Sequence, residues 1–594
     1  LGPTLIVMNL ALIVVFVAIL LMGGVVEKLF REFSITLAAA LALSLVVSLT
    51  LTPALCARLL PARRTAPAPG KLDRLTERYG RSLDFVLSYK FIALGVLAAA
   101  TGLTVAIYIW LPKTMLPEQD TGQLRGFARG DDGISFAIMQ PKIEAYRRLL
   151  LAEPAIADVV GSAGGDNGIN NASLMIRLKP IGERTETSAE VIERVRRAMP
   201  KIPGGILWLS IDQDIHLETP SDSGQYDVIL RAGDLEPLAI WAPKVSRALA
   251  KLPQLVDVEQ VSETGNLQIN LDIDRDAAAR LDVDMQTITS VLNNAFSQRQ
   301  VTTLYDSLKQ YRVILELEPD QTRDPAVLET VHVIAKDGRR VPLSAFANWS
   351  YSVNSDWVWR EDQFAARSIS FALAPGVTLE QADAAIQAAL AGIFLPNEIQ
   401  ARMGGGSDTL KKTLATQPLL IAGVLLAVYV LLGILYESLL QPLTILSSLP
   451  PAALGAFLAL SATGQPFSLM ALLGLFLLIG MSMKNAILMV DFAQTAQHRD
   501  GMTASEAIRQ AACTRLRPIL MTNCATMLGA APLVLGSGEG SELRLPLGIC
   551  IIGGLAVSQL LTLYTVPAVY VSLDATNRFW RAKGSRHQAC EQLG

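Results

Sequence analysis

The chain has 594 residues, 51% of them hydrophobic and 18% charged, with a mean hydropathy of +0.37. A net charge of −3 and the lack of a basic stripe argue against a nucleic-acid partner. Four histidines without metal spacing argue against a zinc centre, and the five cysteines (Cys56, Cys513, Cys524, Cys550, Cys590) all lie in apolar stretches or their short flanks, so no disulfide staples the polar middle of the chain.

The sequence opens at Leu1 and enters an apolar run at once. It has no positive n-region or small-residue cleavage site, so this run is not a signal peptide. It reads as a piece of a longer chain. Eight runs are suited to span a bilayer: residues 4–26, 33–57, 91–111, 419–436, 442–462, 467–492, 518–536 and 545–572. Core helices of a large soluble protein are the alternative, but they leave the charges between the runs unexplained. Arg58, Arg63, Arg64, Lys71, Arg74, Arg78, Arg81 and Lys90 crowd the connector after the second run. Arg499, Arg509, Arg515 and Arg517 mark a loop at 493–517, and Arg578, Arg581, Lys583 and Arg586 mark the tail. The positive-inside rule puts these in the cytoplasm and the soluble segment 112–418 on the other side, in a bacterium the periplasm; Lys28 and Arg31 dissent. Within the connector, 61–70 is a flexible Pro/Ala-rich stretch. Residues 72–87 read as an amphipathic helix along the membrane surface, or as a plain linker helix.

Two parts of the soluble segment echo each other. Glu153-Pro154-Ala155-Ile156-Ala157-Asp158-Val159 resembles Leu252-Pro253-Gln254-Leu255-Val256-Asp257-Val258, and Leu174-Met175-Ile176-Arg177-Leu178-Lys179-Pro180 resembles Ile369-Ser370-Phe371-Ala372-Leu373-Ala374-Pro375. With the flanking helical and strand patterns this gives two β-α-β-β-α-β units of the ferredoxin-like type. An insertion at 268–365 splits the second, and Lys336-Asp337-Gly338-Arg339 is a hairpin candidate within it.

The sixth run contains Lys484, in Gly480-Met481-Ser482-Met483-Lys484-Asn485-Ala486-Ile487-Leu488. A charge near the middle of a span costs roughly 2.5–3.5 kcal/mol on insertion scales, so it points to ion or proton traffic. Snorkelling to the headgroups is the alternative, and the depth opposes it. A weak echo between 33–54 and 547–568 points to a duplicated helix bundle, as in many transporters.

Several motifs combine into a family pattern. Arg31-Glu32-Phe33-Ser34-Ile35-Thr36-Leu37 and Leu51-Thr52-Pro53-Ala54-Leu55-Cys56 flank the second run, and Leu116-Pro117-Glu118-Gln119-Asp120-Thr121-Gly122 follows the third. Leu435-Tyr436-Glu437-Ser438 ends the fourth, Lys484-Asn485-Ala486-Ile487-Leu488 lies in the sixth, and Arg515-Leu516-Arg517-Pro518-Ile519-Leu520-Met521-Thr522 opens the seventh. With these the chain resembles the resistance–nodulation–division (RND) superfamily of proton-driven exporters. The nearest branch is the hydrophobe/amphiphile multidrug pumps, in particular their heteromeric Mdt-type inner-membrane subunits. The likeness covers nearly the whole chain, but only the second half of the family's pattern and the end of the first. About four helices and a matching soluble insert would lie upstream.

The resemblance implies a polytopic α-helical membrane protein, with about eight of the family's twelve spans here. A large periplasmic α+β domain would hold two ferredoxin-like porter subdomains and an inserted docking subdomain. Residues 1–61 would form two transmembrane helices, 62–90 a cytoplasmic connector, 91–111 a further transmembrane helix and 112–221 the first porter subdomain. Residues 222–267 with 366–415 would form the second porter subdomain, 268–365 the docking subdomain, 416–573 five transmembrane helices and 574–594 a cytoplasmic tail. The implied activity is drug/proton antiport across the bacterial inner membrane, driven by the proton-motive force without a bound cofactor; no enzyme motif is present. The implied partners are small amphiphilic substrates, a periplasmic adaptor (membrane fusion) protein, an outer-membrane channel, the lipid bilayer, and sister subunits in a homotrimer or a heterotrimer with a paralogue.

By motif match, Lys484, Arg515 and Thr522 belong to the proton relay, with Asn485 orienting the lysine. Alternatives are positive-inside topology for Arg515, a bond to its own helix for Thr522 and helix–helix bonding for Asn485. The family's titrating aspartate pair has no counterpart: no Asp or Glu lies well inside any apolar run, and Asp491 is roughly 10 Å along the helix from Lys484. On this reading the fragment is inactive alone. Gly164, Gly165, Asp166, Asn167 and Gly168 match the family's substrate-path switch loop, without its phenylalanines; an ordinary surface loop is the alternative. Two other functions compete. A copper or silver exporter would use Met115, Met139, Met175 and Met403 as soft ligands, and a non-transporting scaffold or receptor would use Lys484 structurally.

Overall fold

The computed structural model describes the chain apart from residues 1, 21–23, 60–70, 132–133, 165–169, 201, 216–225, 261–264, 298, 319–321, 323, 356–357, 375 and 592–594. Helix α1 (Gly2–Ile19) stops at a turn at Leu20, and α2 (Gly24–Leu59) runs on through Glu27, Arg31 and Glu32 as one helix. The run expected at 4–26 is thus divided between two helices. In the sequence Gly23 and Gly24, poor helix formers, lie at the division. Seven helices among the described residues, rather than eight, are long and apolar enough to cross a membrane, and Met8–Val17 is a shorter apolar stretch.

The amphipathic segment forms α3 (Lys71–Ser88), and after Tyr89 the chain enters the spanning helix α4 (Lys90–Trp110). Far from being a free linker, α3 is docked on the bundle. Tyr79 and Leu83 are buried, and the Tyr79 hydroxyl donates to the Leu563 carbonyl at 2.7 Å. Arg509 grips Asp84 through two bonds of 2.5 and 2.9 Å, and Arg517 pairs with Asp73.

The soluble segment begins with β1 (Gln123–Gly130), α5 (Phe136–Leu151), β2 (Ile156–Ala163), β3 (Asn171–Leu178), α6 (Ser188–Ala198) and β4 (Gly205–Ile211). The sheet order is β2-β3-β1-β4 with every neighbour antiparallel, which is the split βαβ arrangement. Alternation along β3 turns Leu174, Ile176 and Leu178 toward Met139, Tyr146 and Leu150 of α5 and Val191 and Val195 of α6. A second unit opens with β5 (Tyr226–Ala232), α7 (Leu235–Leu249) and β6 (Leu255–Gln260).

An insert interrupts it. Its stalk is β7 (Gly265–Ile273), antiparallel to β12 (Ala347–Ser355). Between them lie α8 (Arg275–Arg280), α9 (Met285–Phe296), the hairpin β8 (Arg299–Tyr305) with β9 (Gln310–Leu315), α10 (Val327–Thr330), and the hairpin β10 (His332–Ile334) with β11 (Arg340–Pro342). Ile288, Val333, Val341, Leu343 and Phe346 give the insert a core of its own. The β10–β11 turn falls at the expected Lys336–Arg339 stretch, closed by Gly338 N–H to Ala335 O at 2.9 Å with Gly338 at φ +84°.

The second unit then resumes with β13 (Arg360–Glu361), β14 (Phe364–Leu373), α11 (Leu379–Gly392) and β15 (Gln400–Gly404). The order across its sheet is β6-β14-β5-β15, with β13 folded back on β14. The stalk therefore starts at Gly265, ahead of the expected 268, and residues 360–365 pair within the second sheet rather than the insert. The two units repeat in detail. Both second helices start with a capping box, Thr187 with Glu190 and Thr378 with Gln381. The Lys179 N–H to Ala155 O bond (2.8 Å) recurs as Ala374 N–H to Gln254 O (3.0 Å).

Helix α12 (Gly405–Tyr436) follows β15 without a loop and ends at Glu437, which is left-handed at φ +46°. The run at 442–462 is broken into α13 (Gln441–Leu446) and α14 (Leu449–Ala462); Pro450 and Pro451 supply no N–H to carry the ladder across Ser447 and Ser448. Then come α15 (Leu469–Asp500), α16 (Ala504–Leu535) and α17 (Ser541–Glu591). The basic loop expected at 493–517 is not a loop. The helices run through it and only Gly501, Met502 and Thr503 intervene, with Gly501 left-handed and Thr503 capping α16. Helix α15 packs against α1, α13, α14, α16 and α17. Gly455 of α14 allows the close crossing with α17, where a Cβ would come within 2.5 Å of the Gly553 carbonyl.

Candidate functional site

Lys484 lies half-buried in α15, and one turn earlier Gly480 lets α1 approach, since a Cβ there would meet Leu12 Cδ2 at 2.2 Å. Among the described residues Lys484 has no hydrogen bond and no ion pair. The residues flanking it in the helix make polar but neutral contacts. The Ser482 hydroxyl bonds the Ser448 carbonyl and the Ser558 hydroxyl, both at 3.1 Å. The Asn485 amide donates to Asn523 Oδ1 at 2.9 Å, and the Asn523 amide donates in turn to Gln559 Oε1. A chain of three carboxamides thus joins α15, α16 and α17. The Gln559 Nε2 at its end is buried without a partner.

The other expected relay residues are placed apart from the lysine. Arg515 stacks on the Phe492 ring at 5.4 Å, two turns of α15 or roughly 12 Å from Lys484 along the axis. Thr522 is exposed and gives its hydroxyl to Ile519 O at 3.0 Å. Its neighbour Asn523, a fraction of a turn further round α16, faces inward instead. Asn523 and Gln559 escaped the motif-based reading. A signal existed: each of the runs 467–492, 518–536 and 545–572 holds a single side-chain amide, and these are Asn485, Asn523 and Gln559.

A second constellation sits where the soluble part meets the helices. Asp120 accepts from Arg184 at 2.9 and 2.5 Å, from the Ser188 amide at 3.0 Å and from the Ser188 hydroxyl at 2.5 Å. Burial alone would raise its carboxyl, but the hydrogen bonds from Arg184 and Ser188 outweigh that and hold it down at about 2. The Asp120 carbonyl also accepts from Gly540 N–H, in the α16–α17 loop, at 3.3 Å. The linker after α4 is sewn to the start of α15 by Phe467 N–H to Pro112 O (2.7 Å) and Leu469 N–H to Met115 O (3.0 Å). The two soluble units are held together by Arg129–Glu259 at 3.3 Å and by Arg196–Asp257.

Of the switch-loop residues, Gly164 directly follows β2 at φ +84°, with its N–H bonded to Asn171 O at 3.0 Å. Gly165, Asp166, Asn167 and Gly168 lie outside the described residues. The methionines weighed as soft ligands are dispersed: Met139 is in the first unit's core, Met115 and Met403 are buried elsewhere, and Met175 is exposed.

Comparison with known proteins places the chain. Multidrug resistance protein MdtC of Erwinia tasmaniensis is 45% identical over 583 residues, covering 97% of this chain and 57% of that protein. The proteins of the same name from Yersinia enterocolitica and Yersinia pestis are 45% identical over 579 and 585 residues. The chain thus spans a little over half the length of these relatives. Residues 1–574 match the profile of the AcrB/AcrD/AcrF family. With seven candidate spans and a soluble β-containing segment, the chain is a multi-pass membrane protein of that family, within the RND superfamily.

Proposed function

We propose that the chain is the greater part of one subunit of a proton-driven efflux transporter of the bacterial inner membrane, exporting drugs and other amphiphiles by proton antiport. The observation that carries this is Lys484, a half-buried cation in a spanning helix with no hydrogen bond or ion pair among the described residues. Such a charge is costly and marks an ion pathway. The name of the relatives, multidrug resistance protein, supports the choice of cargo.

In this reading the residues at 112–418 stand in the periplasm. The two βαββαβ units are porter subdomains with ferredoxin-like topology, and the insert is the docking subdomain. Carboxylates supplied from outside the apolar runs of this chain pair with Lys484 when ionised and release it when protonated. Asn485 holds the lysine's helix to α16, and the carboxamide chain carries its displacement to α17. The α16–α17 loop meets the first porter subdomain at Asp120, so helix movement reaches α6 through a contiguous set of contacts. Arg515 anchors the cytoplasmic mouth, Thr522 stands on the rim of the relay, and residues 164–168 form the switch loop. The working assembly is a homotrimer, or a heterotrimer with a paralogue, joined to a periplasmic adaptor and an outer-membrane channel; the chain by itself does not export.

The test is proton-gradient-dependent dye efflux in a pump-deficient host, comparing this chain with a version extended upstream to the next in-frame start. Export by the extended version alone, lost on Lys484→Ala, is the expected result. Export by this chain alone would overturn the carboxylate requirement.

A further inference from the structure

Helix α3 presents a second face that the packing leaves open. Tyr79 and Leu83 are buried against α16 and α17. At 100° per residue, Arg74, Arg78, Arg81 and Phe85 fall in one narrow stripe on the opposite side, and all four are exposed. The helix has three acids. Asp73 and Asp84 are taken by Arg517 and Arg509 of α16, which leaves Glu77 as the one acid of α3 without an ion pair among the described residues. None of the three arginines pairs with a described residue. At the far end of the stripe Phe85 and Tyr89, 61% and 56% exposed, lie tilted against each other with ring centroids 5.1 Å apart, just where the chain enters the spanning helix α4.

We propose that the Arg74–Arg78–Arg81 stripe with Phe85 and Tyr89 is a binding surface for anionic phospholipids, guanidiniums on the phosphates and aromatic rings at the acyl boundary. Charge and depth both favour this occupant. The rings adjoin the first residue of the spanning helix α4, where amphipathic aromatics are usual. Arginine is the side chain best shaped for phosphate. By sequence, the connector and the tail offer the stripe little countercharge: 60–70 carries Arg63 and Arg64 and no acid, and 576–594 carries Arg578, Arg581, Lys583 and Arg586 against Glu591. The grip of α16 on Asp73 and Asp84 fixes the orientation, so the stripe is preset rather than formed on contact. Lipid bound there would brace α3 against the helix that carries Arg515 and Asn523. The inference does not depend on transport.

The experiment is lipid retention by native mass spectrometry, with hydrogen exchange over 71–89, on the whole chain in phosphatidylglycerol and in phosphatidylcholine nanodiscs. Each arginine is worth about fivefold in affinity near an anionic surface, so the three together should favour phosphatidylglycerol on the order of 100-fold. Exchange over 71–89 should slow only in phosphatidylglycerol, and the preference should shrink as salt rises. Arg74→Gln with Arg78→Gln and Arg81→Gln should abolish the preference. The matching triple change to lysine should restore most of it, which keeps the test decisive if the glutamine variant folds poorly. Equal retention of the two lipids by the unmodified chain, or an unchanged preference in the glutamine variant, overturns the proposal. So does displacement of the lipid by millimolar glycerol phosphate, which would make this a site for free phosphate.

Discussion

The helix bundle and the soluble units treat buried polarity in opposite ways. The soluble units bury ion pairs: Arg184, its side chain 2% exposed, clamps Asp120, and Arg129 holds Glu259. Inside the bundle the contacts are neutral: serine to serine between α15 and α17, asparagine to asparagine to glutamine across three helices. Water-facing units can satisfy the outer atoms of an ion pair from solvent, whereas a bilayer cannot, so neutral amides are the cheaper glue there. Against that background a lysine in α15 with no ion pair among the described residues stands out as something other than structure.

The sharpest way to break the comparison is to remove that lysine. If Lys484 serves traffic, Lys484→Met removes a cost and should stabilise the solubilised chain by about 2.5 kcal/mol, read as a higher melting temperature. The same change should end export by the completed pump. Losing a charge partnership worth about 3 kcal/mol shifts a coupled equilibrium on the order of 100-fold. A melting temperature that falls would make Lys484 a structural residue and favour the scaffold reading.

The matching change in the soluble part should act in the opposite direction. Asp120→Ala leaves Arg184 buried without its carboxylate and frees the start of α6, a loss of about 3 kcal/mol that hydrogen exchange over 184–198 would report. The pH dependence has a definite sign. A carboxyl lowered on folding adds stability that is fully present above its ordinary value of about 4, and that stability drains away as the pH falls toward about 2. Protection of α6 should therefore decline below pH about 4 in the unmodified chain, and not in Asp120→Asn.

Within the bundle the middle of the carboxamide chain should matter more than its end. Asn523→Leu strands both Asn485 and Gln559, costing about 1–2 kcal/mol, while Gln559→Leu strands only one donor of Asn523 and costs about 0.5–1 kcal/mol. Melting of the two variants and their double mutant would show the coupling. Equal, additive losses would mean that the chain is three unrelated contacts.

The extent to which the sequence foretold this follows the range of the forces involved. Most apolar runs and the paired β-α-β-β-α-β echoes are local patterns and were legible, although the run at 4–26 is divided between two helices. So was the hairpin at Asp337-Gly338, where turn chemistry decides. The basic stretch at 493–517 was misread because its charges lower hydropathy, although Thr503 and Glu506 spell out a capping box that makes it helical. The break before α14 was equally local, set by Pro450 and Pro451. The carboxamide chain and the docking of α3 depend on which helix faces which, and no single-span pattern fixes that; one amide per span was the only hint.

The smallest expected effect concerns Thr522, and it separates two geometries. Its hydroxyl is satisfied by Ile519 O on its own helix and its side chain is exposed. Thr522→Val should therefore change the melting temperature by less than the equivalent of about 0.5 kcal/mol, and export should remain near that of the unmodified pump. The polar interior would then run through Asn485, Asn523 and Gln559 without Thr522. Should export collapse with stability intact, the exposed face of α16 would be where the carboxylates approach. The relay would lie between α16 and its partner segment rather than inside the bundle, and the asparagine chain would be scaffolding for it.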